Sequence, residues 1–165
     1  MRLPTAIACA CHSRMVQFLR GIFMFKKILL ATDGSELSEK AIRSTVEFAK
    51  ENGSKIIGLS VATIYPYFPV SPEGISSQFI SKINNAAHKH VHKISVLASA
   101  AGVDVEVHVV RGSNTSEEII KAATHHHCDA IFMASHGYKG VDRFLLGSEA
   151  QKVLALSKLP VTIFK

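Results

Sequence analysis

The sequence is poor in several features that would place a protein quickly. It has three cysteines in 165 residues, Cys9, Cys11 and Cys128, too few and too unevenly spaced for a disulfide framework. That usage suits a reducing compartment, and a cytoplasmic location is expected. No apolar run approaches the roughly 18 residues of a membrane-spanning helix, because Lys, Arg, His, Gly or Ser cuts every candidate short. No membrane partner is expected. The G-x-x-x-x-G-K-[ST] phosphate loop does not occur, and no G-x-G-x-x-G follows the first strand-like run, which excludes the two commonest nucleotide fingerprints. Acidic residues are missing altogether from residues 1 to 27.

That last absence explains the charge. The formal charge is +6, from 19 Lys and Arg against 13 Asp and Glu, yet residues 28 to 165 hold 14 basic and 13 acidic side chains. The body is close to neutral, and no Lys or Arg cluster follows Lys27 that could displace counterions from a phosphate backbone. No nucleic-acid partner is expected. With 47% hydrophobic and 19% charged residues, the chain has ample material for one domain with its own core. Residues 1 to 23 follow neither a strand nor a helix pattern and admit three readings: a targeting segment, a Cys-x-Cys-His metal site, or an appendage with no folding role. The apolar stretch is short for a secretory core, and Cys9, Cys11 and His12 match the spacing of no common zinc module. The appendage is favoured, with the folded domain running from Met24 to Lys165.

From Met24 the pattern is regular. Phe25 to Ala31 reads as a buried strand ending in T-D-G-S, and Ser35 stands where the N-cap of a helix to Asn52 belongs. Lys55 to Ala62 is a second strand. A loop with Pro66, Pro69, Pro72 and Gly74 leads to a long helix from about residue 76 to 101, closed by Gly102. Val103 to Val110 alternates Val with Asp104, Glu106 and His108, as a strand near a sheet edge would. A helix over 114 to 127, a buried strand over 130 to 135, a helix over 148 to 156 and a last strand over 161 to 164 complete the chain. Five strands alternating with helices predict an α/β fold with an open, mostly parallel five-stranded sheet and helices on both faces.

In such a fold ligands bind beyond the carboxyl ends of the strands, where the winding reverses. Two loops fall there: Thr32 to Ser35 after the first strand, and His136 to Gly147 after the fourth. Gly137 and Gly140 leave room for a ligand near the backbone, and Gly147-Ser148 opens a helix whose first amides can receive a phosphate. The same residues can also be plain turn glycines and an ordinary N-cap at Ser148. Composition alone weighs the two evenly.

The run F-K-K-I-L-L-A-T-D-G-S, the strand exit I-F-M-A-S-H-G and the closing L-L-G-S-E-A-Q-K-V-L with L-P-V-T-I-F resemble the universal stress proteins, over essentially residues 24 to 165. Nucleotide-binding members carry G-x-x-G, nine residues, then G-[ST]. Gly137, the nine residues 138 to 146, and Gly147-Ser148 match that spacing, while Ala134 takes the first glycine position. The resemblance implies a Rossmann-like fold of the adenine-nucleotide alpha hydrolase type and binding of ATP or another adenine nucleotide, with Mg. By analogy Asp33 holds the ribose or adenine side, and the backbone around Ala31 and Val61 lines the adenine pocket. The main chain from Met133 through Ala134 to Gly137, with Gly147, Ser148 and Glu149, holds the phosphates. A homodimer through the last strand is also implied.

Of the nine histidines, His125, His126 and His127 are consecutive and cannot all face one ion from a helix, and no metal site is expected. His136 lies in the ligand loop without an orienting carboxylate in the sequence. Lys139 and Arg143 are read as solvated loop cations, and Cys128 as a buried, inert thiol. T-D-G-S lacks the glycine pair of pyrophosphatase-type ligases, and no catalytic base is evident. The reading is a dimeric, ATP-binding stress-response module that hydrolyses ATP slowly at most; the alternatives are a nucleotide-free dimer acting through protein contacts and a slow ATPase.

Overall fold

The computed structural model describes residues 25–64, 77–137 and 146–165. Cys9, Cys11 and His12, the loop from Pro66 to Gly74, and Lys139, Gly140 and Arg143 lie outside them. Strand β1 (Lys27–Ala31) runs parallel to β2 (Lys55–Thr63) on one side and to β4 (Ala130–Ala134) on the other. It is central, so Ile28, Leu29 and Leu30 are fully buried and each contributes roughly 1.5–3 kcal/mol by leaving water. Helix α1 (Glu36–Asn52) begins at Ser35, whose Oγ accepts from the Ser38 N–H at 3.3 Å, with Glu36 and Glu39 beside the positive helix end. Helix α2 (Ser77–Ala100), β3 (Val105–Gly112), α3 (Thr115–His125), α4 (Ser148–Leu156) and β5 (Val161–Phe164) complete the fold.

The sheet order is β3-β2-β1-β4-β5, parallel throughout. From β1 the chain winds outward through β2 to β3, then returns to the other side of β1 for β4 and β5. That reversal sends α1 and α2 to one face and α3 and α4 to the other. Alternation along the strands feeds both faces. Ile28, Leu30 and Phe132 pack with Ile42 and Ile94 on the first, while Leu29, Ile57 and Ile131 pack with Ile119 and Val153 on the second.

Three helices end in the same way, which corrects two of the expected boundaries. The chain turns through positive φ at Gly53 (66°), Gly102 (73°) and His127 (52°), and the next residue's N–H returns to a carbonyl five positions back: Ser54 to Ala49, Val103 to Ala98, Cys128 to Ala123. Val103 is thereby spent on closing α2, so β3 starts at Val105 rather than 103. His126 and His127 form the turn after α3 instead of its last residues. The edge position expected for the third strand is found: β3 is outermost, with Glu106 exposed.

Candidate functional site

The carboxyl ends of β1 and β4, where the winding reverses, open a cleft of about 430 Å3. Its apolar floor includes Ala31, Val61 and Met133, one from each of the three central strands. The turn after β1 forms one wall. Thr32 donates its N–H to the Leu59 carbonyl at 2.9 Å and its Oγ1 accepts from the Gly34 N–H at 3.2 Å. Asp33 accepts the Ser35 N–H through Oδ1 at 3.0 Å, which fixes the turn and places an exposed carboxylate at the cleft. Asp33 thus lines the cleft, while the cap of α1 is Ser35 rather than Asp33.

That carboxylate lies directly over Gly137. A Cβ at residue 137 would overlap Asp33 Oδ2, so the glycine there makes room for a side chain of the opposite wall. From behind the turn, the His90 ring of α2 fills the space beside Gly34 and sets Nδ1 3.5 Å from Ser60 Oγ. Burial lowers the His90 pKa, and the nearby Asp33 charge opposes that shift.

The far wall is the start of α4. Gly147, not Ser148, is the N-cap, and it makes no side-chain capping bond; Ser148 is the first helical residue. The ordinary N-cap reading of Ser148 is thus overturned. The first-turn amides have no partner within the helix and the positive dipole end faces the cleft, an arrangement suited to an anion. Gly147 donates its N–H to the Ser135 carbonyl at 2.8 Å, and a Cβ on it would lie 3.1 Å from that oxygen and 3.2 Å from His136 Cα. The close seating of α4 on the β4 exit requires glycine at this position.

The Glu149 side chain is engaged outside the cleft. Its Oε2 accepts the Ser116 N–H at 2.9 Å, and Lys152 Nζ donates to Oε1 at 2.8 Å. Burial raises its pKa, but the bonds from Lys152 and Ser116 outweigh this and hold it below the usual value. The carboxylate is occupied in capping α3, whose own N-cap residue, Asn114, makes no side-chain capping bond. What Glu149 offers the cleft is its main-chain N–H.

Ala134 lines the cleft at the end of β4. Alternation turns its methyl toward the face of Phe132, away from Met133 and Ala31. His136 has its Nδ1 3.0 Å from Ser135 Oγ. The residues that sequence reading missed are Ser38, whose Oγ is 3.1 Å from Thr32 Oγ1, and the pair Thr63 and Thr115, whose hydroxyls meet at 3.0 Å on the rim. Thr63 was accessible by alternation from Val61, and Thr115 as the first residue of a helix pointing at the cleft.

The sequence model of the Universal stress protein family matches residues 24–165. The chain belongs to the universal stress protein family. Among its relatives is universal stress protein YxiE of Bacillus subtilis, 33% identical over 149 residues, covering 86% of this chain and 100% of that one. A solved structure described as a structure-based assignment of biochemical function, of hypothetical protein MJ0577, is 31% identical with a TM-score of 0.71, covering 86% and 96% of the two chains. The universal stress protein from Archaeoglobus fulgidus in complex with dAMP shares the fold at 18% identity and a TM-score of 0.61, covering 86% and 98%. In this universal stress protein all nine sequence-derived site residues border one cleft: Ala31, Asp33, Val61, Met133 and Ala134, then Gly137, Gly147, Ser148 and Glu149.

Proposed function

We propose that this universal stress protein binds an adenine nucleotide, ATP with Mg2+, in the cleft between β1 and β4 and acts in the cytoplasm as a dimeric stress-response module. The observation that carries the reading is the pairing of an apolar floor with an uncapped helix start. The floor of Ala31, Val61 and Met133 suits a base, and the α4 amides opposite suit phosphates. The volume of about 430 Å3 lies within the ordinary range for small-molecule sites. Asp33, at the turn between them, would accept from a ribose hydroxyl. Mg2+ would be held chiefly by phosphate oxygens and water, since the Glu149 carboxylate is already engaged. The complex of a fold relative with dAMP is in keeping with an adenine ligand. Binding needs no base, and slow hydrolysis at most is expected.

Equilibrium binding of ATP with Mg2+ to the full chain tests the reading. Saturable binding that Gly147→Asp abolishes supports it, because the aspartate places bulk and negative charge against Ser135 and His136 where the helix start meets the cleft. No binding at millimolar ATP would leave a nucleotide-free dimer acting through protein contacts. Turnover above about 1 s⁻¹, the low end of typical enzymes, would make the protein an ATPase.

A further inference from the structure

Away from the cleft, the polar face of the edge strand meets the turn that closes α3. Glu106 and His108 are two apart on β3 and therefore on one face, the face α3 covers elsewhere on the sheet. His126, the C-cap of α3, packs its ring on His108 with centroids 4.2 Å apart and planes tilted by 34°. The Glu106, His108 and His126 ligand atoms all lie within 4.8 Å of one another, and Glu106 Oε1 is 2.9 Å from His108 Nε2. Donor atoms around a tetrahedral Zn2+ are about 3.3 Å apart, given metal bonds of about 2.0–2.2 Å.

We propose that Glu106, His108 and His126 form a surface site for a borderline divalent metal ion, Zn2+ being the best match, that ties the edge strand to the end of α3. Two imidazoles and a carboxylate are the donor set such ions prefer, with water in the fourth position. His125 and His127 are not in the donor cluster, and His125 stands edge-on to His126 at 5.0 Å. Two cations adjoin the cluster. Lys27 Nζ donates to the His126 carbonyl at 3.1 Å, and Lys55, 3.3 Å from Glu106 Oε2, keeps Asp104 at 3.7 Å if the ion takes the Glu106 carboxylate. The site does not rest on the nucleotide reading, since the α3 end that borders the cleft is Thr115, at the other end of the helix.

Titration of the metal-free full chain with ZnCl2, followed by calorimetry, tests the site, with Co2+ absorption as a report on coordination. His108→Ala with His126→Ala should remove one equivalent of Zn2+ relative to the parent chain, whatever Cys9, Cys11 and His12 bind. Glu106→Gln should weaken that equivalent by about tenfold or more, at least as much as losing an outer-shell partner does. His88→Ala with His92→Ala should leave it intact. Unchanged stoichiometry and affinity in the His108/His126 double variant overturns the proposal. If that variant proves unfolded by circular dichroism, an unaltered isotherm for Glu106→Gln, an exposed and conservative change, overturns it equally.

Discussion

Glu149 shows how much one side chain can settle at the residue scale. Its carboxylate crosses from the first turn of α4 to the Ser116 amide in the first turn of α3, where Asn114 leaves the capping position without a side-chain bond. Capping bonds of this kind contribute about 0.5–2 kcal/mol, and with a side chain 38% exposed the lower half of that range applies. Glu149→Ala should therefore cost about 1 kcal/mol in urea unfolding at neutral pH. The fold lowers the Glu149 pKa below its ordinary 4.5, so the stabilisation is complete above that pH and is lost as the pH falls through the lower folded value. Parent and variant should converge in stability below pH 4.5; a gap that persists in acid would assign the effect to packing. Gly137 makes the second case. Any side chain there displaces the Asp33 carboxylate, while residue 137 itself is exposed. Gly137→Ala is expected to leave the unfolding midpoint within error and to weaken ATP binding by about tenfold, some 1.4 kcal/mol. Unaltered affinity would remove Asp33 from the ligand's contacts.

At the scale of elements, the order and type of every strand and helix among the described residues was legible from periodicity and cap residues. Apolar runs marked the buried strands, and Ser35, Asn52-Gly53 and Gly102 marked helix ends. Two of the boundaries that slipped, the start of β3 and the end of α3, did so for one reason. The closing turns at Gly102-Val103 and at His126 to Cys128 spend residues that look like strand or helix, through bonds to carbonyls five positions back. The cleft was legible to the extent that strand ends and glycines announce it. The Glu149 cap, the seat of Asp33 over Gly137 and the His108–His126 stack were not, because each joins residues on different elements that only packing brings together. Ala134 measures what the element adds to the motif. As a departure from a glycine it suggests a methyl intruding on the ligand, but β4 alternation turns that methyl toward Phe132. Ala134→Gly should accordingly change ATP affinity by less than about threefold, well under 1.4 kcal/mol. It should lower stability by about 0.5–1 kcal/mol, the usual cost of glycine inside a strand. A tenfold gain in affinity would restore the intrusion argument.

At the scale of the molecule, the two edges of the sheet differ in kind. The β3 edge carries Glu106, His108 and Arg111, with Lys55 paired to Glu106 and Asp104 beside it, and such charge discourages edge-to-edge pairing. The β5 edge is V-T-I-F, each residue half-buried and without a charge. The net charge of +6 says nothing of this asymmetry, since the body after residue 27 is nearly neutral. The proposed homodimer would pair a second copy of the chain with the β5 edge. Its backbone also shows how to test that pairing without dismantling the sheet. The carbonyls of Pro160 and Phe164 accept from Ile131 of β4 and from Ser135 just after it, at 2.9 and 2.8 Å, so alternate residues, Ile163 among them, direct their N–H groups outward. Ile163→Pro deletes an outward donor and leaves the β4 bonds in place. Sedimentation equilibrium should report about twice the 17.9 kDa chain mass for the parent and the monomer mass for the variant, with circular dichroism unchanged. A parent that remains monomeric at 100 times its working concentration would exclude the β5 edge as a homodimer surface. A dimer indifferent to Ile163→Pro would move the interface to another face, the exposed Leu154 and Leu156 of α4 being the nearest apolar alternative.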